Sequence, residues 1–153
     1  MTLDLPDPAA MKRLGAAIAE RMQAGDVIAL SGSLGTGKTT LARAILEGLG
    51  YAAEVPSPSF TIIECYDPPA VRLPVVHADF YRLERPADAE ELGLDDYRQD
   101  AALIAEWPEK AGGFAQETSC LAITLNFAAD SSEGGRTAIV EPGADWLGRV
   151  PCP

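Results

Sequence analysis

A chain of 153 residues, 47% hydrophobic and 23% charged, has the size and composition of one globular domain with its own core. No apolar run reaches the length of a membrane span, and the start lacks a basic-then-apolar secretory signal, so a cytoplasmic protein with no membrane contact is expected. Twenty-three acids against twelve bases, a net charge of −11, argue against a direct grip on nucleic acid.

Asp7-Pro8 reads as a helix start, a capping acid followed by proline in the first turn. Met11, Leu14, Ile18 and Met22 then form one helical stripe, and Gly25 ends it. Asp26 to Leu30 reads as a buried strand. It runs into Gly32-Ser-Leu-Gly-Thr-Gly37-Lys38-Thr39, a full match to the phosphate-loop pattern G-x-x-x-x-G-K-[ST]. Thr40 to Leu49 follows as a helix with Leu41, Ala42, Ile45 and Leu49 on one face. Pro56 and Pro58 fix an extended loop. Phe60 to Tyr66 and Leu73 to Ala78 read as strands, Pro86 to Leu92 as a short helix, and Leu103 to Ala105 as another buried strand. Cys120 to Phe127 and Arg136 to Val140 make a hairpin across the polar turn Asp130 to Gly135, and Pro151 to Pro153 is expected to fray. Cys65, Cys120 and Cys152 lack metal-ligand spacing and read as reduced thiols.

Strands alternating with helices, then a late hairpin, predict an α/β domain over 1–153 with its core at about 5–142. The expected architecture is a three-layer sandwich of the P-loop NTPase kind, a mixed sheet with helices on both faces. Ligands in such sheets sit beyond the carboxyl ends of the strands, where the phosphate loop, Asp79 and Glu106 all fall.

The loop dictates the chemistry. Glycines let its N–H groups turn inward onto phosphate oxygens, so Gly35, Thr36, Gly37, Lys38, Thr39 and Thr40 are the candidate phosphate contacts. Lys38 is aimed at the β and γ phosphates and the Thr39 hydroxyl at Mg²⁺. Asp79 ends an apolar strand and is the candidate carboxylate for the metal. Glu106 repeats that pattern and can orient or deprotonate an attacking water. His77, the single histidine, reads as a hydrogen-bonding residue. Trp107 fits either the core or the nucleotide.

Four blocks together resemble the TsaE (YjeE) family. They are Gly32 to Thr40, Pro56-Ser-Pro-Ser-Phe60, His77-Ala-Asp-Phe-Tyr-Arg-Leu83 and Glu106-Trp-Pro-Glu109. The resemblance implies an ATPase with ATP and Mg²⁺ as cofactors, needed to form the threonylcarbamoyl group on adenosine 37 of tRNAs reading codons that start with A. It implies TsaB and TsaD subunits as partners, with tRNA met only indirectly. By similarity Thr39, Asp79 and Glu106 hold the metal, Glu106 and Lys38 are catalytic, Trp107 lies near the nucleotide, and Ser57, Ser59 and Phe60 belong to a switch-like loop. The chain departs from the family at Ser33, where Asp or Glu is usual, and at Ser59, where Thr is usual. The alternative reading is a P-loop small-molecule kinase, for which Arg82, Arg85 and Arg98 could screen the transferred group.

Overall fold

The fold comes from a computed structural model and is described for residues 1–56, 62–129 and 134–153. Its strands are β1 (Thr2–Leu5), β2 (Val27–Ser31), β3 (Ile63–Tyr66), β4 (Val75–Asp79), β5 (Ala102–Glu106), β6 (Cys120–Phe127) and β7 (Arg136–Pro142). Its helices are α1 (Pro8–Arg21), α2 (Lys38–Gly48), α3 (Ala87–Glu91) and α4 (Leu94–Arg98), with 3₁₀ turns at Pro108–Ala111 and Ala144–Trp146.

All seven strands join one sheet in the order β1-β7-β6-β2-β5-β4-β3. The central strands β6, β2, β5 and β4 are parallel, and β7, β1 and β3 add antiparallel edges. The apolar runs Val27 to Leu30 and Ala102 to Ala105 are buried along their length, as parallel strands covered on both faces must be. Alternate residues feed two cores. Ile28, Leu30, Val75 and Ile104 pack with α1 and α2, whereas Val27, Ala29, Val76, Ala78, Leu103 and Ala105 pack with Phe80, Leu94 and Phe114. The sheet is therefore sandwiched as its pattern predicts, by two long helices on one side and short pieces on the other.

Asp7 caps α1 through a 2.8 Å bond from the Ala10 N–H, and the expected stripe Met11, Leu14, Ile18 and Met22 is buried. A Cβ on Gly15 would lie 2.4 Å from the Ala44 Cβ, so α1 and α2 touch backbone to side chain. The Arg72 guanidinium closes the far end of α1 by donating to Ala19 O and Met22 O at 2.7 and 3.0 Å.

The late hairpin stands as β6 and β7, with β7 running two residues beyond Val140. Sequence reading had no place for β1, α4 or either 3₁₀ turn. The strand expected from Phe60 begins at Ile63; Phe60 and Thr61 lie outside the described residues, as do Asp130 to Glu133 of the hairpin turn. At the carboxyl end Pro151 is buried, while Cys152 and Pro153 are exposed. Among the described residues no helix is long and apolar enough to cross a membrane.

Candidate active site

The loop between β2 and α2 is built on glycine. Gly32 has φ +140°, and a Cβ there would sit 2.5 Å from Leu125 O and 2.7 Å from Thr36 Oγ1. Gly37 adopts φ +105° at the start of α2 and caps it with no side-chain hydrogen bond. The first amides of α2 are thus left without a side-chain cap, the arrangement that receives an anion. Thr36 is fully buried and ties the loop internally, its hydroxyl donating to Ser33 O at 2.8 Å.

Lys38 is buried at the mouth of this loop. Its ammonium donates to Gly32 O at 2.7 Å and Ser33 O at 2.9 Å, and stands 4.3 Å from the centre of the Trp107 ring. Burial pushes its pKa below the ordinary lysine value, against the opposing pull of Glu106, Glu109 and Asp79. The contacts to residue 33 pass through its carbonyl, which Ser, Asp and Glu supply alike.

The two carboxylates end neighbouring strands and pair in register, Asp79 opposite Glu106 and Glu106 opposite Leu30. They are not equivalent. Glu106 is 1% exposed; its Oε1 accepts from the Thr39 hydroxyl at 2.6 Å and its Oε2 lies 2.7 Å from His77 Nε2. Asp79 accepts from the Tyr81 N–H at 3.0 Å, and its pKa is raised, mainly by burial. The acid in contact with Thr39 is therefore Glu106, with Asp79 one strand further out.

These groups surround a recess of about 330 Å³ lined by Leu34, Gly35, Gly37, Lys38, Thr39, Thr40, Asp79, Tyr81, Glu106 and Trp107. Every expected catalytic, phosphate and metal residue lines it except Thr36, which faces a second recess with Thr40 and Arg136. The expected switch residues Ser57, Ser59 and Phe60 lie outside the described residues. Arg85 and Arg98 are turned elsewhere, onto Asp88, Glu91 and Glu117, and neither lines the 330 Å³ recess.

The hydrogen-bonding role expected of His77 is borne out, but its partner and three further contributions escaped sequence reading. His77 meets Glu106 across the β4–β5 pair, a contact that only strand order reveals. Tyr81, two residues past Asp79, sets its ring 5.0 Å from that of Trp107. Trp107 itself adopts φ +56°, a left-handed backbone that costs a bulky residue about 1–3 kcal/mol. Arg136 on β7 donates to Gly35 O at 3.1 Å while its guanidinium stacks 4.5 Å from the exposed Phe127 ring, so the hairpin steadies the loop from its far side.

Residues 5–137 match the family model described as threonylcarbamoyl adenosine biosynthesis protein TsaE. Curated relatives carry the name tRNA threonylcarbamoyladenosine biosynthesis protein TsaE. That of Streptomyces coelicolor is 43% identical over 65% of this chain and 68% of its own. That of Haemophilus influenzae is 35% identical over 79% of each chain, and that of Nostoc 33% identical over 93% and 90%. The crystal structure of Bacillus subtilis YdiB superposes with a TM-score of 0.71 at 29% identity, covering 92% of this chain and 83% of that one.

Proposed function

The chain belongs to the TsaE family, and on that premise we propose that it binds and hydrolyses Mg·ATP in the service of tRNA threonylcarbamoyladenosine formation. The observation that carries this reading is the convergence of Lys38, Thr39 and Glu106 on one recess at the uncapped start of α2.

The donor set fits the metal. Thr39 offers a hydroxyl and Glu106 and Asp79 offer carboxylates, all hard oxygens within one recess, which suits Mg²⁺ completed by phosphate and water. Thr39 donates its hydroxyl hydrogen bond to Glu106, so the hydroxyl oxygen keeps its lone pairs for a cation. Held by Thr39 with Glu106 and Asp79, the metal would supply positive charge that offsets the charge of the phosphates. Lys38 exchanges the carbonyls of Gly32 and Ser33 for the β and γ phosphates, and the free amides of α2 receive the same oxygens. Glu106, ending β5 beside the loop, orients the attacking water and accepts its proton. Trp107 and Tyr81 form one aromatic wall of the recess.

On this reading the cycle drives a change in a partner complex of TsaB and TsaD type and does not itself modify a base. The kinase alternative lacks support: among the described residues no arginine lines the recess. Phosphate release from ATP, measured with and without Mg²⁺, tests the reading. Lys38→Ala and Thr39→Ala should each abolish turnover in folded protein, and wild-type rates in either would refute it.

A further inference from the structure

β4 is apolar apart from its last residue and His77, which is fully buried on the face it shares with Val75 and Ile104. Burying an imidazole there carries a penalty. Its Nδ1 has no hydrogen-bond partner among the described residues, so one ring nitrogen is left unsatisfied. An aliphatic residue would avoid that cost, and the compensation must lie in the other nitrogen. Nε2 meets Glu106 Oε2 at 2.7 Å, a bond between two groups each at most 2% exposed. An ionised carboxylate only accepts, so Nε2 is the nitrogen that donates to Glu106, while Nδ1 has no hydrogen-bond partner among the described residues.

The consequence falls on Glu106. The terminal torsion of a glutamate is soft, so a single contact to Thr39 would leave the carboxylate free to swing. With Thr39 on Oε1 and His77 on Oε2, both oxygens are held from two separate elements, α2 and β4. We propose that His77 is a positioning residue for Glu106, fixing the plane of its carboxylate so that one oxygen stays on Thr39 at the mouth of the phosphate loop. The proposal rests on the reading of Glu106 as the acid that serves the hydrolytic step, and it adds what holds that acid in place.

Two measurements test it. Because the chain has a single histidine, the imidazole nitrogens give one unambiguous pair of NMR signals. The wild type should show a protonated Nε2 whose proton is shifted by the carboxylate, with that shift lost in Glu106→Ala. An Nε2 without a proton, or an unchanged signal in Glu106→Ala, overturns the proposal whether or not ATP is hydrolysed. The second measurement is a substitution series at His77 read by kcat and KM. Glutamine places an amide nitrogen where Nε2 stands, whereas asparagine places one where Nδ1 stands and leucine has none. His77→Asn and His77→Leu should lower kcat about 10- to 100-fold with KM for ATP nearly unchanged, and His77→Gln should recover most of the loss. Equal kcat in all three folded variants, or a loss that glutamine does not rescue, overturns it. If the wild type itself never turns over ATP, with or without partner subunits, the preceding reading fails and the NMR result alone decides the role of His77.

Discussion

Asp79 and Glu106 end adjacent strands with the same apolar approach, yet their surroundings differ, and the difference is measurable. Glu106 has two side-chain donors, whereas Asp79 has one backbone N–H and a pKa raised chiefly by burial. An acid whose pKa is higher in the folded than the unfolded state destabilises the fold when ionised. The cost is present above the raised value and disappears as pH falls below the ordinary 3.8. Asp79→Asn should therefore raise the melting temperature of the nucleotide-free protein at neutral pH, with the gain shrinking in acid, while weakening Mg²⁺-dependent ATP binding in calorimetry. A variant that loses stability and keeps its affinity would remove Asp79 from the site. Trp107 supplies a second residue-scale readout. Its ring covers the Lys38 ammonium at 4.3 Å, so fluorescence should change when Lys38 turns to phosphate. Trp146 is fully buried and donates to Ser119 O at 2.8 Å, away from the recess. The signal should vanish in Trp107→Phe and persist in Trp146→Phe.

At the scale of elements, the part of the chain beyond the family match is a clasp. After β7 the backbone makes a 3₁₀ turn that buries Trp146, and Arg149 then grips Asp26 with two bonds of 2.7 and 2.8 Å. Arg149 also donates to Arg21 O at 2.7 Å and lies 4.1 Å from the Trp146 ring, so one guanidinium ties the carboxyl end to α1 and to the start of β2. Asp26 is 3% exposed, and removing its partner strands a buried charge. Arg149→Ala should destabilise by about 3 kcal/mol. The exposed Arg85, paired with Asp88 and Glu91, should cost less than about 1 kcal/mol when replaced. Denaturant midpoints of the two variants check the contrast, and equal effects would show that the clasp is ornamental. This segment also marks the limit of sequence reading. The central strands and the loop were legible because an apolar run and a spaced motif are local signals. β1 was not: Thr2–Leu5 is four residues long, and its partner β7 begins at Arg136, so nothing local announces the pairing. Likewise α4 starts from a left-handed Gly93 and spans five residues, too short for a periodic stripe. Lys38, Thr39 and Glu106 could be named from the sequence, but the His77–Glu106 and Arg136–Gly35 contacts depend on strand order and register.

For the molecule as a whole, the family ties the chain to tRNA while its net charge of −11 opposes contact with phosphate backbones. The distribution of bases sharpens that conflict. Arg98 and Arg149 are spent on Glu117 and Asp26, Arg72 and Arg43 on backbone carbonyls, and Lys12 on Glu47. Lys38 is buried in the recess and Arg136 lies against the phosphate loop. Of the arginines close in sequence near 82–98, Arg85 is paired with Asp88 and Glu91 and Arg98 with Glu117, so part of that cluster is already neutralised by acids. The resolution that follows from the proposed function is that the chain would act on tRNA modification through protein contacts, with γ-phosphate occupancy at the recess deciding which contacts form. Purified protein should accordingly leave the anisotropy of labelled tRNA unchanged at physiological salt. In contrast, its association with a TsaB–TsaD complex should depend on whether ATP or ADP is present, and Lys38→Ala should erase that dependence. Tight tRNA binding by the isolated chain that survives added salt would overturn this account, because a net charge of −11 works against it.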